Sequence, residues 1–287
     1  MRVLMCPPIH FAVQEENSAL NPWMKKDVQP DRKISLKQWQ NLGKKLLTLG
    51  LDVYTLRSQE GLGDMCFAAN TAWGQNNVFV MAEFHPEVWW RKEETTHYAE
   101  WLVKNRCGVC FLPEGVYFEG QGDVVSLNNS YIFGHGQRNS LEVIDYLDEY
   151  FRLKRIVPVE LIDSRFYHLD VSLHFARGAN SIIWCPDAFS PDSQRKIERL
   201  MDKEKMSGLA LTAEEAIQNL GNGRTNFLLN SVYAGKNEVM CWDEEFSEFP
   251  AKVREFIESK SCKIWPINVS EFGCSGGGAR CLTLFLD

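Results

Sequence analysis

The chain has 287 residues, 45% of them hydrophobic and 24% charged, the balance of an ordinary globular protein with a substantial core. Its formal net charge of −7 argues against binding a phosphate backbone, which needs a basic face, so no nucleic-acid partner is expected. No run of about twenty apolar residues occurs, so no transmembrane helix and no membrane partner are expected.

The opening "MRVLMCPPIHF" has a short apolar patch broken by two prolines and does not read as a signal peptide. "SLKQWQNLGKKLLTLG" reads as a helix beginning in a capping box from Ser35 to Gln38 and ending at Gly50. "DVYTL" and "NNVFVMA" read as strands, and a helix over about 92–105 leads into a third, "GVCFLP". "NSLEVIDYLDEYF" reads as an amphipathic helix capped by Asn139. "SPDSQRKIERLM" places Ser190 at a cap and Pro191 at the first helical position. "TAEEAIQNLG" repeats the capping-box spacing from Thr212 to Glu215. A last helix near 247–259 precedes the strand "CKIWPI" and a terminal strand "CLTLFL". The result is an α/β chain of many short strands, uncut by any Gly/Ser/Pro-rich linker and expected to be one domain over 1–287.

Nine cysteines at irregular spacing form no obvious disulfide framework and read as reduced thiols of a cytoplasmic protein. "CGVC" at 107–110 follows a helix instead of opening one, so it reads as structural and not as a redox pair. No second pair or neighbouring histidine completes a zinc site.

Asn21, Asn70, Glu119 and His168 each stand at the end or edge of a strand-like segment, 49 residues from the next. Asn230 occupies a comparable context, 51 residues before Cys281. Repeated ββαβ units about an axis would carry one such residue each into a shared centre.

"MCPP" with "NPWM", "FEGQGD", "RFYHLD" and "GGGARCLTL" together resemble the guanidine-modifying superfamily, over nearly the whole chain and in order. That superfamily comprises arginine deiminases, dimethylarginine dimethylaminohydrolases and amidinotransferases, and the nearest likeness is to the arginine dihydrolase type. The resemblance implies a pentein fold, a five-bladed pseudo-symmetric α/β propeller around a central channel. It also implies a cysteine hydrolase of free L-arginine or a guanidino analogue, with no metal or organic cofactor.

A guanidinium carbon is a poor electrophile because three nitrogens share its charge. Thiolate suits the attack, and a thiol of pKa about 8.5 needs a cation beside it to ionise at neutral pH. The resemblance assigns the nucleophile to Cys281 behind the glycine run, with Cys274 as the competitor that precedes it. His168 would protonate the leaving amine and then activate water, while His174 lies outside the motif. Glu119 and Asp170 would accept from guanidinium nitrogens. Arg91 and Arg138 match positions that hold an α-carboxylate, a task suited to arginine's fork. Asp123 is either a carboxylate supporting the site or a turn residue.

Asn70 stands where deiminases and methylarginine hydrolases carry aspartate, a change shared with the dihydrolase type, and Asn21 supports the same assignment. Cys66 replaces an expected threonine and Glu83 a common basic residue. The expected reaction releases ornithine, carbon dioxide and two ammonia molecules. Deimination to citrulline, demethylamination, amidino transfer and a non-catalytic binding module are the alternatives.

Overall fold

The computed structural model describes residues 1–14, 20–153 and 155–287. In chain order come β1 (Arg2–Met5), α1 (Arg32–Thr48), β2 (Asp52–Thr55), β3 (Ala72–Gln75), β4 (Val78–Met81), α2 (Lys92–Lys104) and β5 (Gly108–Cys110). There follow β6 (Val124–Ser126), β7 (Tyr131–His135), α3 (Val143–Phe151), β8 (Ile156–Glu160), α4 (Leu169–Ser172), β9 (Leu173–Ala176), β10 (Ser181–Trp184), α5 (Pro191–Glu204) and β11 (Ser207–Ala210). The chain closes with α6 (Ala213–Ala216), β12 (Ile217–Gly221), β13 (Arg224–Phe227), β14 (Val232–Ala234), β15 (Asn237–Cys241), α7 (Ala251–Glu258), β16 (Lys263–Ile267) and β17 (Leu284–Phe285).

Among the described residues the strands form five three-stranded sheets and the hairpin β12–β13. Each three-stranded sheet has an antiparallel pair followed by a parallel pair, and the parallel pair is joined through a helix. That order follows from reach, since a tight turn links antiparallel strands but parallel ones need a crossover. Four units are contiguous in sequence. The fifth is assembled from both ends of the chain, with β17 antiparallel to β1 through Val3↔Phe285 and Leu4↔Leu284.

Exposure is concentrated in the parallel edge strand of each sheet. "SIIW" of β10 is covered throughout, whereas β11 at its edge alternates half-buried and exposed residues. Ile182, Ile197 and Leu200 belong to the apolar cluster that joins this sheet to α5. No helix among the described residues is long and apolar enough to cross a membrane.

Local expectations met three different ends. Thr212 and Glu215 make both arms of a capping box, and Pro191 opens α5 as read. The expected box at Ser35 is displaced: Asp31 caps α1 by accepting from Lys33 N and Ile34 N, and Ser35 lies one turn inside. Asn139 does not cap α3. Its side chain accepts from Glu119 N at 2.8 Å and donates to Gly134 O at 3.0 Å, tying two loops together. The terminal strand shrinks to Leu284–Phe285, so Cys281 sits in the turn before it. Cys107 precedes β5 and Cys110 ends it, both as free thiols.

Candidate active site

Cys281 is buried in a turn that the chain grips from several sides. Asn230 holds it twice, its Oδ1 accepting from Cys281 N at 3.0 Å and its Nδ2 donating to the sulfur at 3.1 Å. The same amide reaches Asp170 O at 3.3 Å, and Asn230 O accepts from Arg280 N at 3.1 Å. Ala69 N donates to Cys281 O at 3.0 Å. The glycine run exists for closeness: a Cβ on Gly277 would lie 2.3 Å from the Phe67 ring, and one on Gly278 would lie 2.9 Å from Asn230 Oδ1. Gly276 also adopts φ +76°, a conformation that glycine takes without strain.

The sulfur's only carboxylate neighbour among the described contacts is Asp170, whose Oδ2 lies 3.5 Å away. Burial drives the thiol pKa well above its ordinary value, and Asp170 adds to the rise, although Asn230 opposes it. Without a bound cation the cysteine is therefore a neutral thiol. Burial also lifts Asp170 to about 6, against the pull of His168 and Arg280.

His168 immediately precedes α4 and lines the same pocket as Cys281. Its Nδ1 faces Asp123 Oδ2 at 2.5 Å, and Asp123 Oδ1 accepts from Leu169 N at 2.9 Å. Asp123 is thus buried behind the histidine and outside the pocket lining. Nε2 of His168 is 3.1 Å from Glu119 Oε2, an ion-pair distance off the line of a hydrogen bond. Burial would depress the histidine, but Asp123 and Glu119 outweigh it and raise its pKa to about 9. The imidazole is charged at neutral pH.

Glu119 was expected to face the guanidinium. Like Asp170 it is not among the residues that line the pocket, and it is fully buried, with Arg138 Nη1 at 2.8 Å and Arg91 Nη1 at 3.8 Å. Burial would raise its pKa, but Arg138, His168 and Arg91 together hold it well below the usual carboxylate range. Arg91 donates to Glu94 Oε2 at 2.9 Å and to Asn70 Oδ1 at 3.4 Å. Arg138 also donates to Leu20 O and rests on the Tyr167 ring. Both arginines line the pocket.

The two asparagines differ in kind. Asn70 places Nδ2 3.5 Å from His168 Nε2, against Gly122, where a Cβ would come within 2.6 Å. Asn21 lines the pocket but spends its amide on backbone, donating to Ser275 O and accepting from Trp23 N. The first of these bonds ties it to the residue before the glycine turn. Cys274 points away, its sulfur 2.9 Å from Glu271 O, and His174 pairs with Glu238 at 2.8 Å outside this pocket.

Three polar residues at or beside the pocket were given no role by the sequence reading. Asn230 was signalled by its repeat context but assigned no role. Asp64 is buried, accepts from Trp90 Nε1 at 2.9 Å and leaves Oδ1 without a partner. Tyr167 lay within a quoted motif, overshadowed by the histidine beside it. The cavity these groups enclose is about 20 Å³, room for roughly one water. Any ligand of amino-acid size must displace side chains to enter, and the two arginines are the long groups at hand.

A family profile described as "N,N dimethylarginine dimethylhydrolase, eukaryotic" matches residues 7–286. The chain is 29% identical over 289 residues to the bifunctional arginine dihydrolase/ornithine cyclodeaminase AgrE of Nostoc sp., covering 99% of this chain and 37% of that protein. It is also 29% identical over 287 residues to the N(G),N(G)-dimethylarginine dimethylaminohydrolase of Mycobacterium tuberculosis, covering 99% and 85% respectively. The chain thus spans well under half the length of its bifunctional relative. The solved N-terminal domain of ArgZ bound to product, an arginine dihydrolase from the ornithine-ammonia cycle in cyanobacteria, matches with a TM-score of 0.85. That likeness has 27% identity and covers 100% of this chain and 97% of the other. A cysteine-to-serine variant of that domain, bound to substrate, matches with a TM-score of 0.84 at 27% identity, over 99% and 97%. A dimethylarginine dimethylaminohydrolase adduct at 17% identity and TM-score 0.71 shares the fold, over 99% of this chain and 98% of the other.

Proposed function

The chain belongs to the N,N dimethylarginine dimethylhydrolase family, and from that premise we propose that it hydrolyses free L-arginine through Cys281, giving ornithine, two ammonia molecules and carbon dioxide. The observation that carries the reading is the setting of Cys281: a buried thiol with Asp170 at 3.5 Å, sharing its pocket with a charged histidine. The five ββαβ sheets support a five-bladed propeller that gathers these residues from distant units.

In this reading the substrate supplies the positive charge that the thiol lacks. Asp170 accepts from guanidinium nitrogens, and the bound cation lowers the cost of forming thiolate, whose proton leaves towards Asp170 Oδ2. Sulfur bonds to the guanidinium carbon, a C–N bond breaks, and His168 gives its proton to the departing ammonia. The neutral imidazole then takes a proton from water, whose oxygen attacks the thiouronium carbon and expels the thiolate. Glu119 and Asp123 keep the histidine protonated and oriented for the first half of the cycle. A second passage through the resulting ureido group releases the other ammonia and a carbamate, which loses carbon dioxide to leave ornithine. Arg91 or Arg138 receives the α-carboxylate on leaving its present partners, and the free Oδ1 of Asp64 suits the α-ammonium.

Asn70 distinguishes one hydrolysis from two. Its amide, unlike a carboxylate, can donate to a neutral ureido oxygen, and an unpaired buried polar group costs about 1–3 kcal/mol. That corresponds to roughly 5- to 150-fold discrimination. The similarity to the Mycobacterium tuberculosis protein favours a second reading, single-step release of an amine or methylamine to give citrulline. Purified protein is incubated with L-arginine, and ornithine, citrulline and ammonia are separated and counted. Ornithine with two ammonia per arginine is expected; citrulline alone replaces the dihydrolase reading with the second one. Asn70→Asp is expected to shift product towards citrulline or to lower total turnover.

A further inference from the structure

A second cavity of about 110 Å³ lies beyond Asp170, on a wall that shares no lining residue with the cysteine pocket. Two guanidinium groups line it, Arg177 and Arg280, and neither has a carboxylate within ion-pair distance among the described residues. Aromatic faces hold them instead. Arg177 rests 4.9 Å from the Tyr233 centroid and Arg280 5.1 Å from that of Phe285, and those two rings stack 5.4 Å apart. Stacking occupies the flat faces of a guanidinium and leaves its in-plane N–H groups for an oxyanion. Arg280 donates to Thr283 O and Gln121, and Arg177 to Ser126 O, but Arg177 Nε is buried without a partner.

Asp170 on the same wall also leaves Oδ1 buried and unpartnered. An unmatched donor and an unmatched acceptor each cost about 1–3 kcal/mol, which a ligand drawing them into the cavity would remove. The other charges on the wall, the Met1 ammonium and Asp287, lie 3.7 Å from each other, and His174 is bonded to Glu238. A simple anion answers the arginines but not Asp170. An oxyanion that also carries a hydroxyl answers both.

We propose that this cavity is a second ligand site, for a small hydroxyl-bearing oxyanion of the hydrogencarbonate class, anchored by Arg177 and Arg280. Hydrogencarbonate is the hydrated form of the carbon dioxide released in the proposed reaction. The site itself stands on the cavity and not on that reading, so its test reads binding without turnover.

Thermal unfolding of the full chain is followed as sodium hydrogencarbonate replaces sodium chloride at constant pH and ionic strength. A saturable rise in melting temperature is expected for the wild type. Arg177→Gln should weaken the apparent affinity at least tenfold, with Arg177→Lys between the two. Line broadening of 13C-labelled hydrogencarbonate, measured at a temperature where every variant is folded, should follow the same order. An equal response in chloride, or an unchanged response in folded Arg177→Gln, overturns the proposal. Loss of arginine turnover with binding intact would sink the hydrolase reading alone.

Discussion

At the scale of single residues, the site separates groups that touch one another from groups that aim one another. Cys281, Asp170 and His168 stand together, while Asp123, Glu119 and Asn230 hold their atoms in place. Cys281→Ser is expected to abolish turnover with little change in melting temperature, whereas Cys274→Ser retains substantial activity. Iodoacetamide modification mapped by mass spectrometry checks this, and preferential inactivation through Cys274 would refute it. The pH dependence follows from two groups. In the proposed mechanism Asp170, near 6, is ionised when it receives a cation, and His168, near 9, is protonated when it releases an amine. The rate kcat/KM is therefore expected to fall below about pH 6 and above about pH 9, and Asp170→Asn to lose the acid limb along with at least a hundredfold of rate. Asn230→Asp puts a second negative charge against the sulfur. It should cost at least tenfold in kcat/KM at neutral pH, partly recovered as pH rises.

Turns and caps hold the site more than strands do. The glycine turn brings backbone against Phe67, Tyr167 and Asn230, so its tolerance for even one methyl is small. Gly277→Ala, with a Cβ 2.3 Å from Phe67, is expected to cost about 1–3 kcal/mol. At about 2–4 °C per kcal/mol for a large domain, calorimetry should record a drop of several degrees, with activity lost. The start of α4 carries a second consequence, because it buries a charged histidine. The folded pKa of His168 lies above the unfolded value near 6.5. Its stabilisation is therefore complete below about pH 6.5 and lost as pH rises through about 9, on the order of 3 kcal/mol at most. Melting temperature should decline over that window in the wild type and decline less in His168→Gln. An identical slope in both proteins would remove this histidine from the account.

For the molecule as a whole, closure is what makes the site possible. β17 pairs with β1, so the two ends of the chain complete one sheet, and Cys281 lies three residues before it. Leu284→Ala empties a fully buried position in that strand and should cost about 2–5 kcal/mol. Hydrogen exchange should then quicken together in β1, β17 and the turn bearing Cys281; acceleration confined to β17 would mean that closure does not support the site.

Much of this was legible beforehand, for local reasons. Amphipathic periods marked the helices, Thr212 with Glu215 marked a cap, and the 49-residue spacing pointed to repeated units that the five sheets now display. Where local signals competed, the reading failed: Asp31 outbid Ser35 because it reaches two free amides of α1, and Asn139 was taken by the backbone of Glu119. Order along the chain thus pointed to a repeated unit and to the residue types carried at each unit's edge, while the number five came from the resemblance. Only the tertiary structure decided which carboxylate reaches the sulfur and which ones flank the histidine. Glu119 is 19 residues from Arg138 and 49 from His168, and Asp123 is 45 and 46 from His168 and Leu169, and nothing in their neighbourhoods distinguishes an acceptor for substrate from a support for His168. The burial, the paired arginines and the sulfur's lack of a cation arise from contacts between distant units, and pKa values depend on those contacts rather than on neighbours in sequence.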